Sequence, residues 1–111
     1  MTRTYNVYTL YCVDVSFELH GQPFEWEADK AAANLRKHHI SFERACEVFF
    51  DPFVRIDDAG CEEEGRDAVV GLAEDWSLLF VVHVVRKEDS IRIISARSAT
   101  PSERRAYEEG P

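Results

Sequence analysis

Apolar residues recur at helical spacing between residues 27 and 39: Ala28, Ala31, Ala32 and Leu35 form a stripe, and Lys30, Arg36 and Lys37 fall mostly off it. That period predicts an amphipathic helix from Glu27 to His39, although no glycine marks its end. Ser41 suits the N-cap of a second helix with the stripe Phe42, Ala45, Cys46 and Phe49. Asp51-Pro52 stops this helix, because proline drives the residue before it out of helical geometry. Farther on, Leu78 to Val85 is a nearly unbroken apolar run, the pattern of a strand covered on both faces. Lys87-Glu88-Asp89-Ser90 turns that strand into a partner, Ile91 to Arg97. Phe53 to Ile56 and Arg66 to Leu72 read as two more strands around the polar loop Asp57 to Gly65, with a bend at Glu74-Asp75. Tyr5 to Leu19, rich in Val, Tyr, Phe and Thr, reads as one or two strands before the turn His20-Gly21-Gln22-Pro23. Thr100-Pro101-Ser102-Glu103 joins a capping threonine, a proline at the first helical position and a glutamate three residues after the cap, which starts a C-terminal helix. The order predicts an α+β fold: an antiparallel sheet with two helices from the N-terminal half and one C-terminal helix packed against it.

A chain of 111 residues has material for one core. No run reaches the roughly 18 apolar residues that span a bilayer, and the N-terminus lacks the order of a signal peptide. The expectation is therefore a cytoplasmic protein without a membrane partner. Cys12, Cys46 and Cys61 are odd in number and widely spaced, which reads as reduced thiols and not as a zinc site. The net charge of −8 argues against a nucleic-acid partner until its distribution is considered. Residues 1–76 carry a net −9 and residues 77–111 a net +1, with Arg86, Lys87, Arg92 and Arg97 in or beside one apolar stretch. A basic surface built from the C-terminal half is compatible with that pattern, and the acidic remainder suits a basic protein partner.

Three segments carry a resemblance: FEWEADKAAANLRKHHISFERACEVFFDP (24 to 52), EEGRDAVVGLA (63 to 73) and DSIRIISARSATPSERRAYEE (89 to 109). In order and spacing they are similar to the BrnT toxins, most specifically over the stretch IRIISARxAT-xxERxxYE and the frame F-E-W-x-x-x-K-A-x-x-N-x-x-K-H-x-x-S-F-E. The resemblance implies a toxin domain over residues 24–111 with a RelE-like ribonuclease fold, cleavage of messenger RNA and arrest of growth. It also implies neutralisation by a BrnA-like antitoxin, as two toxins with two antitoxins, through which alone DNA would be contacted. Residues 1–23 extend beyond the usual start, as an added strand, a covering segment or an upstream reading. Glu27 stands where an aspartate is usual, His39 where a glycine follows the first helix, and Cys61 where many relatives carry a histidine.

RNA cleavage without a metal or other cofactor needs a base for the 2′-hydroxyl, an acid for the leaving 5′-oxygen and cations on the phosphoryl oxygens. Arg97, at the exit of the last strand, and Arg92 within it are candidates for the phosphate. In a regular strand they have opposite parity, so both face one groove only if the strand twists or bulges. Arg92 could equally form a salt bridge to a neighbouring strand. His83, inside the apolar run, is either a neutral base or a hydrogen-bonded core residue. Glu64 and Arg66 are an acid–base and phosphate pair or a solvated ion pair. Lys37 and His38 could face RNA or complement the C-terminus of the first helix, and Arg86 and Lys87 could contact the RNA backbone. Cys61 is set aside as a nucleophile, since neighbouring glutamates raise its pKa. The aromatics are expected in the core, except Trp76, a candidate for partner contact. Two other classes stay open: a non-catalytic module that binds a basic antitoxin-like partner, and a small metabolic enzyme using the histidines.

Overall fold

A computed structural model describes residues 13–57 and 65–110. In chain order these form β1 (Asp14–Leu19), β2 (Gln22–Glu27), α1 (Ala28–His38), α2 (Phe42–Cys46), β3 (Arg55–Ile56), β4 (Asp67–Leu72), β5 (Leu78–Val85), β6 (Ile91–Ser98) and α3 (Pro101–Glu109). The class is α+β, as expected. One sheet takes all the described strands in the order β1-β2-β6-β5-β4-β3.

The sheet is antiparallel at every junction but one. β2 and β6 run parallel, through Phe24 opposite Ile91 and Glu25 opposite Arg92. The chain leaves β2 through α1 and α2, crosses one face, and the β4–β5–β6 meander then lays its last strand beside β2. No local pattern encodes that junction. The stretch Phe24-Glu25-Trp26 is part of a strand, and the turn before it is a tight hairpin with His20 (φ 52°) and Gly21 (φ 84°) in the left-handed region. Residues 14–19, within the segment read as an extension, are the edge strand of the same sheet. The expected strands before residue 13 lie outside the described residues.

The sheet is covered unequally on its two faces. On one side α1, α2 and the 3₁₀ turn Glu47–Phe50 bury Phe24, Trp26, Phe42, Cys46, Val48, Leu79, Val81, Ile93 and Ala96. On the other, α3 covers a smaller cluster of Ala68, Val70, Leu78 and Phe80. Gly71 permits the close layering on the first face, since a Cβ there would meet the Val48 carbonyl oxygen at 3.0 Å and the Val54 side chain at 3.1 Å.

The expected stripe of α1 is rotated. Leu35 is 49% exposed and Ala32 is exposed, whereas Asn34 is buried at 7%. The inward face consists of Ala31, Asn34 and His38. Its cause is polar. Asn34 donates from Nδ2 to the carbonyls of Ala96 (2.8 Å) and Ile40 (3.0 Å) and accepts from the Ala96 N–H (3.1 Å). The α2 stripe holds at Phe42, Ala45 and Cys46, which are fully buried, with Ser41 Oγ accepting from the Arg44 N–H, but the α-helix ends at Cys46 and Phe49, partly buried, falls in the 3₁₀ turn that precedes Asp51. α1 ends at His39, which adopts the left-handed conformation (φ 62°, ψ 29°) and returns its N–H to Leu35.

Two variants test this account by denaturant unfolding. Asn34→Ala strands the Ala96 amide in the interior and is expected to lose about 3 kcal/mol. His39→Gly relieves a left-handed side-chain conformation and is expected to gain roughly 1 kcal/mol.

Candidate active site

Pairing between β5 and β6 shifts register at Val82 and His83, which face Ser95 and Ile93 and leave Ile94 as an extra residue. Residues paired directly across an antiparallel ladder share a face. Arg92 lies opposite Val84 and Arg97 opposite Phe80, so the bulge puts both arginines on the face that carries α3. They stand on the order of 15 Å apart along the strand.

Neither arginine is bare. Arg92 donates from Nη1 to Glu25 Oε2 (2.6 Å) and from Nη2 to Asp14 Oδ1 (3.1 Å). Asp14 first, then Glu25, raises its pKa against the effect of burial. The salt bridge to a neighbouring strand is therefore what Arg92 makes. Arg97 lies with its guanidinium carbon 4.0 Å from the Phe80 ring centroid and forks onto both carboxylate oxygens of Glu103 at 2.9 Å each. The Arg97 hydrogen bonds hold the Glu103 carboxyl below the usual carboxylate range. Glu103 also closes the capping box of α3, accepting the Thr100 N–H at 2.9 Å while its own N–H goes to Thr100 Oγ1 at 3.1 Å.

A second polar link fixes α3. The Tyr107 hydroxyl donates to Asp51 Oδ2 at 2.5 Å, and Asp51 also accepts the N–H groups of Leu72 (2.8 Å) and Phe53 (2.9 Å). Burial alone would raise the Asp51 pKa, but these donors outweigh it and hold the carboxyl low. Burial and the Asp51 hydrogen bond push the Tyr107 hydroxyl up to about 12.

The remaining candidates are dispersed. His83 pairs with Ile93 and lies on the opposite, helix-covered face, 6% exposed and edge-on to Phe49 at 4.9 Å. The geometry does not bring it to the arginines. Among the described residues its Nδ1 has no hydrogen-bond partner. Burial lowers its pKa against the opposing pull of Asp67, its partner across the ladder. Arg66 directly precedes β4 and is half-buried, and Glu64 lies outside the described residues, as does Cys61. Lys37 and His38 sit in the last turn of α1. Arg86 and Lys87 are exposed in the β5–β6 connection, beyond Arg92. Cys46 is a free buried thiol whose pKa burial, Glu43 and Glu47 all raise. Trp76 is 79% exposed, in a turn with φ 70°. Among the described residues no group of His, Cys, Asp or Glu is arranged to hold a metal ion.

Sequence reasoning missed three residues. Asn34 stands in the frame shared with the BrnT toxins, and the apolar stripe of α1 gives it no core role. Glu103 was legible as a capping residue, and only the fold shows its second role on Arg97. Asp51 reads in the sequence only as a helix stop. For Asn34 the sequence carries no signal, because it lies off the stripe of Ala28, Ala31, Ala32 and Leu35 and its partner, the Ala96 backbone, is 62 residues away.

The family model for the ribonuclease toxin BrnT of type II toxin–antitoxin systems matches residues 26–103, from Trp26 to the Glu103 that holds Arg97. The chain belongs to the BrnT family. Its fold is similar to the 1.1 Å crystal structure of the Brucella abortus ribonuclease toxin BrnT, with a TM-score of 0.55 at 18% identity, covering 68% of this chain and 92% of that one. No curated protein matches.

Two departures from the BrnT frame now have a physical meaning. His39 occupies the left-handed C-cap where glycine costs least. Glu27 is the N-cap of α1 and makes no side-chain capping bond, which the shorter aspartate is built to make.

The lowered His83 pKa gives a pH prediction. The unfolded chain takes up the proton near the ordinary value of 6.5 while the folded chain resists it, so stability is retained above that pH and falls as the pH drops below it. Urea midpoints measured from pH 7.5 to 5.5 are expected to decline, and His83→Gln to flatten the decline. This window lies above the titration of the Asp51 and Glu103 carboxyls, whose lowered values add their own loss only in stronger acid.

Proposed function

We propose that this chain is the toxin of a type II toxin–antitoxin pair, a metal-independent endoribonuclease that cleaves messenger RNA in the cytoplasm and arrests growth. A BrnA-like antitoxin neutralises it, as two toxins with two antitoxins, and supplies the contact with DNA. The observation that carries the reading is that the residues matching the family, 26–103, build the sheet face bearing Arg92 and Arg97.

In this mechanism the RNA 2′-hydroxyl attacks the adjacent phosphorus and the 5′-oxygen leaves. Arg97 stabilises the charge that accumulates on the phosphoryl oxygens. Arg92 contacts a second phosphate by exchanging a carboxylate for it, and Arg86 and Lys87, in the connection before β6, extend the contact with the RNA backbone. Glu64 and Arg66 serve as the proton-transfer and phosphate-binding pair. His83, on the opposite face, is left out of the proton transfers, and Lys37 and His38 interact with the C-terminus of α1.

One observation favours a second reading. Both arginines already carry carboxylate partners, which suits a non-catalytic module that binds a basic partner through its acidic surface.

Primer extension on total RNA after a short induced pulse separates the two. The toxin reading predicts discrete new 5′ ends and growth arrest, both lost in Arg97→Ala, and cleavage by purified protein that persists in EDTA and falls about 100-fold or more in the variant. Unchanged transcripts with folded protein favour the binding module.

A further inference from the structure

Arg97 has five N–H donors in a rigid plane. Nη1 donates to Glu103 Oε1 at 2.9 Å and to the Ser98 carbonyl at 3.1 Å, and Nη2 gives one hydrogen to Glu103 Oε2 at 2.9 Å. Among the described residues these contacts leave the Nε–H and the second Nη2–H, which lie parallel along one edge of the guanidinium and match two oxygens of a phosphate. Phe80 closes one flat face at 4.0 Å. The Arg97 side chain remains 35% exposed, against 16% for Glu103. Glu103 is itself held by the capping box with Thr100. The start of α3 thus fixes a carboxylate, and the carboxylate fixes the arginine.

We propose that Glu103 is a positioning residue for Arg97, taking the Nη1/Nη2 end of the guanidinium so that the Nε/Nη2 edge is presented to an RNA phosphate. The inference rests on the ribonuclease reading above. Its signature is a division of effects. Immobilising the guanidinium supports turnover, because orientation is paid before the substrate arrives. The carboxylate's charge also weakens the attraction of Arg97 for phosphate in the bound ground state.

Glu103→Gln keeps an oxygen for the Thr100 N–H and the side-chain volume, but removes the charge and opposes an amide N–H₂ to the guanidinium. Relative to the native chain, kcat is expected to fall roughly 10-fold. Binding of a non-cleavable 2′-O-methyl RNA is expected to tighten about 3-fold, with the salt dependence steeper by about 0.7 in slope. Phe42→Leu, in the core on the opposite face of the sheet, is expected to lower the melting temperature with kcat and KM unchanged well below it. If Glu103→Gln behaves like Phe42→Leu, altering stability alone, the role of Glu103 is only structural and the proposal fails.

Nitrogen-15 NMR of the native protein supplies a test without a variant. Titration with the 2′-O-methyl RNA should shift Arg97 Nε while the Nη1 signal keeps its restricted rotation. Release of Nη1 on RNA binding would mean that RNA displaces Glu103, and would overturn the proposal. Absence of RNA cleavage by the native protein defeats the functional reading and this inference with it, whereas native cleavage with no effect of Glu103→Gln on kcat or binding defeats the inference alone.

Discussion

Strand β6 has β5 along its length but meets β2 only at Ile91 and Arg92. Beyond that point its outer edge would leave backbone groups unpaired beneath the helices, at a cost of about 1–3 kcal/mol for each buried group. The side chain of Asn34 takes the place of the missing strand at Ala96, donating to its carbonyl and accepting from its N–H. Its further bond to the Ile40 carbonyl ties down the turn between α1 and α2. One amide thereby sets the rotation of α1, the path into α2 and the end of β6 from which Arg97 projects.

The opposite face is held by different means. α3 has no fully buried residue, so its docking depends less on apolar area than on the Arg97–Glu103 fork and the Tyr107–Asp51 bond. Hydrogen bonds to charged groups contribute about 1.5–3 kcal/mol each, enough to seat a nine-residue helix over a small cluster. These contacts also organise the candidate site. The arginine that would meet a phosphate is the one that anchors the helix, so helix placement and cation placement are a single constraint.

The bulge at Ile94 joins the two themes. Without it, Arg92 and Arg97 would lie on opposite faces, one of them beneath α1 and α2. With it, Ile93 and Ala96 still face the main core while Arg92, Ser95 and Arg97 share the other side. An extra strand residue therefore reconciles a continuous core with a face that carries both arginines.

Much of this was legible in the chain itself. Periodicity and caps determined α2, α3, the β5–β6 hairpin, the fold class and, with the family motifs, the kind of protein, because these depend on interactions within a few residues. The same local reading put Leu35 on the inside of α1, since apolarity was the only available criterion and the partner of Asn34 lies 62 residues away. It could not see the parallel β2–β6 junction, the common face of Arg92 and Arg97, or the separation of His83 from both. Those features follow from which strands meet and in what register, and register is decided by packing across the whole sheet.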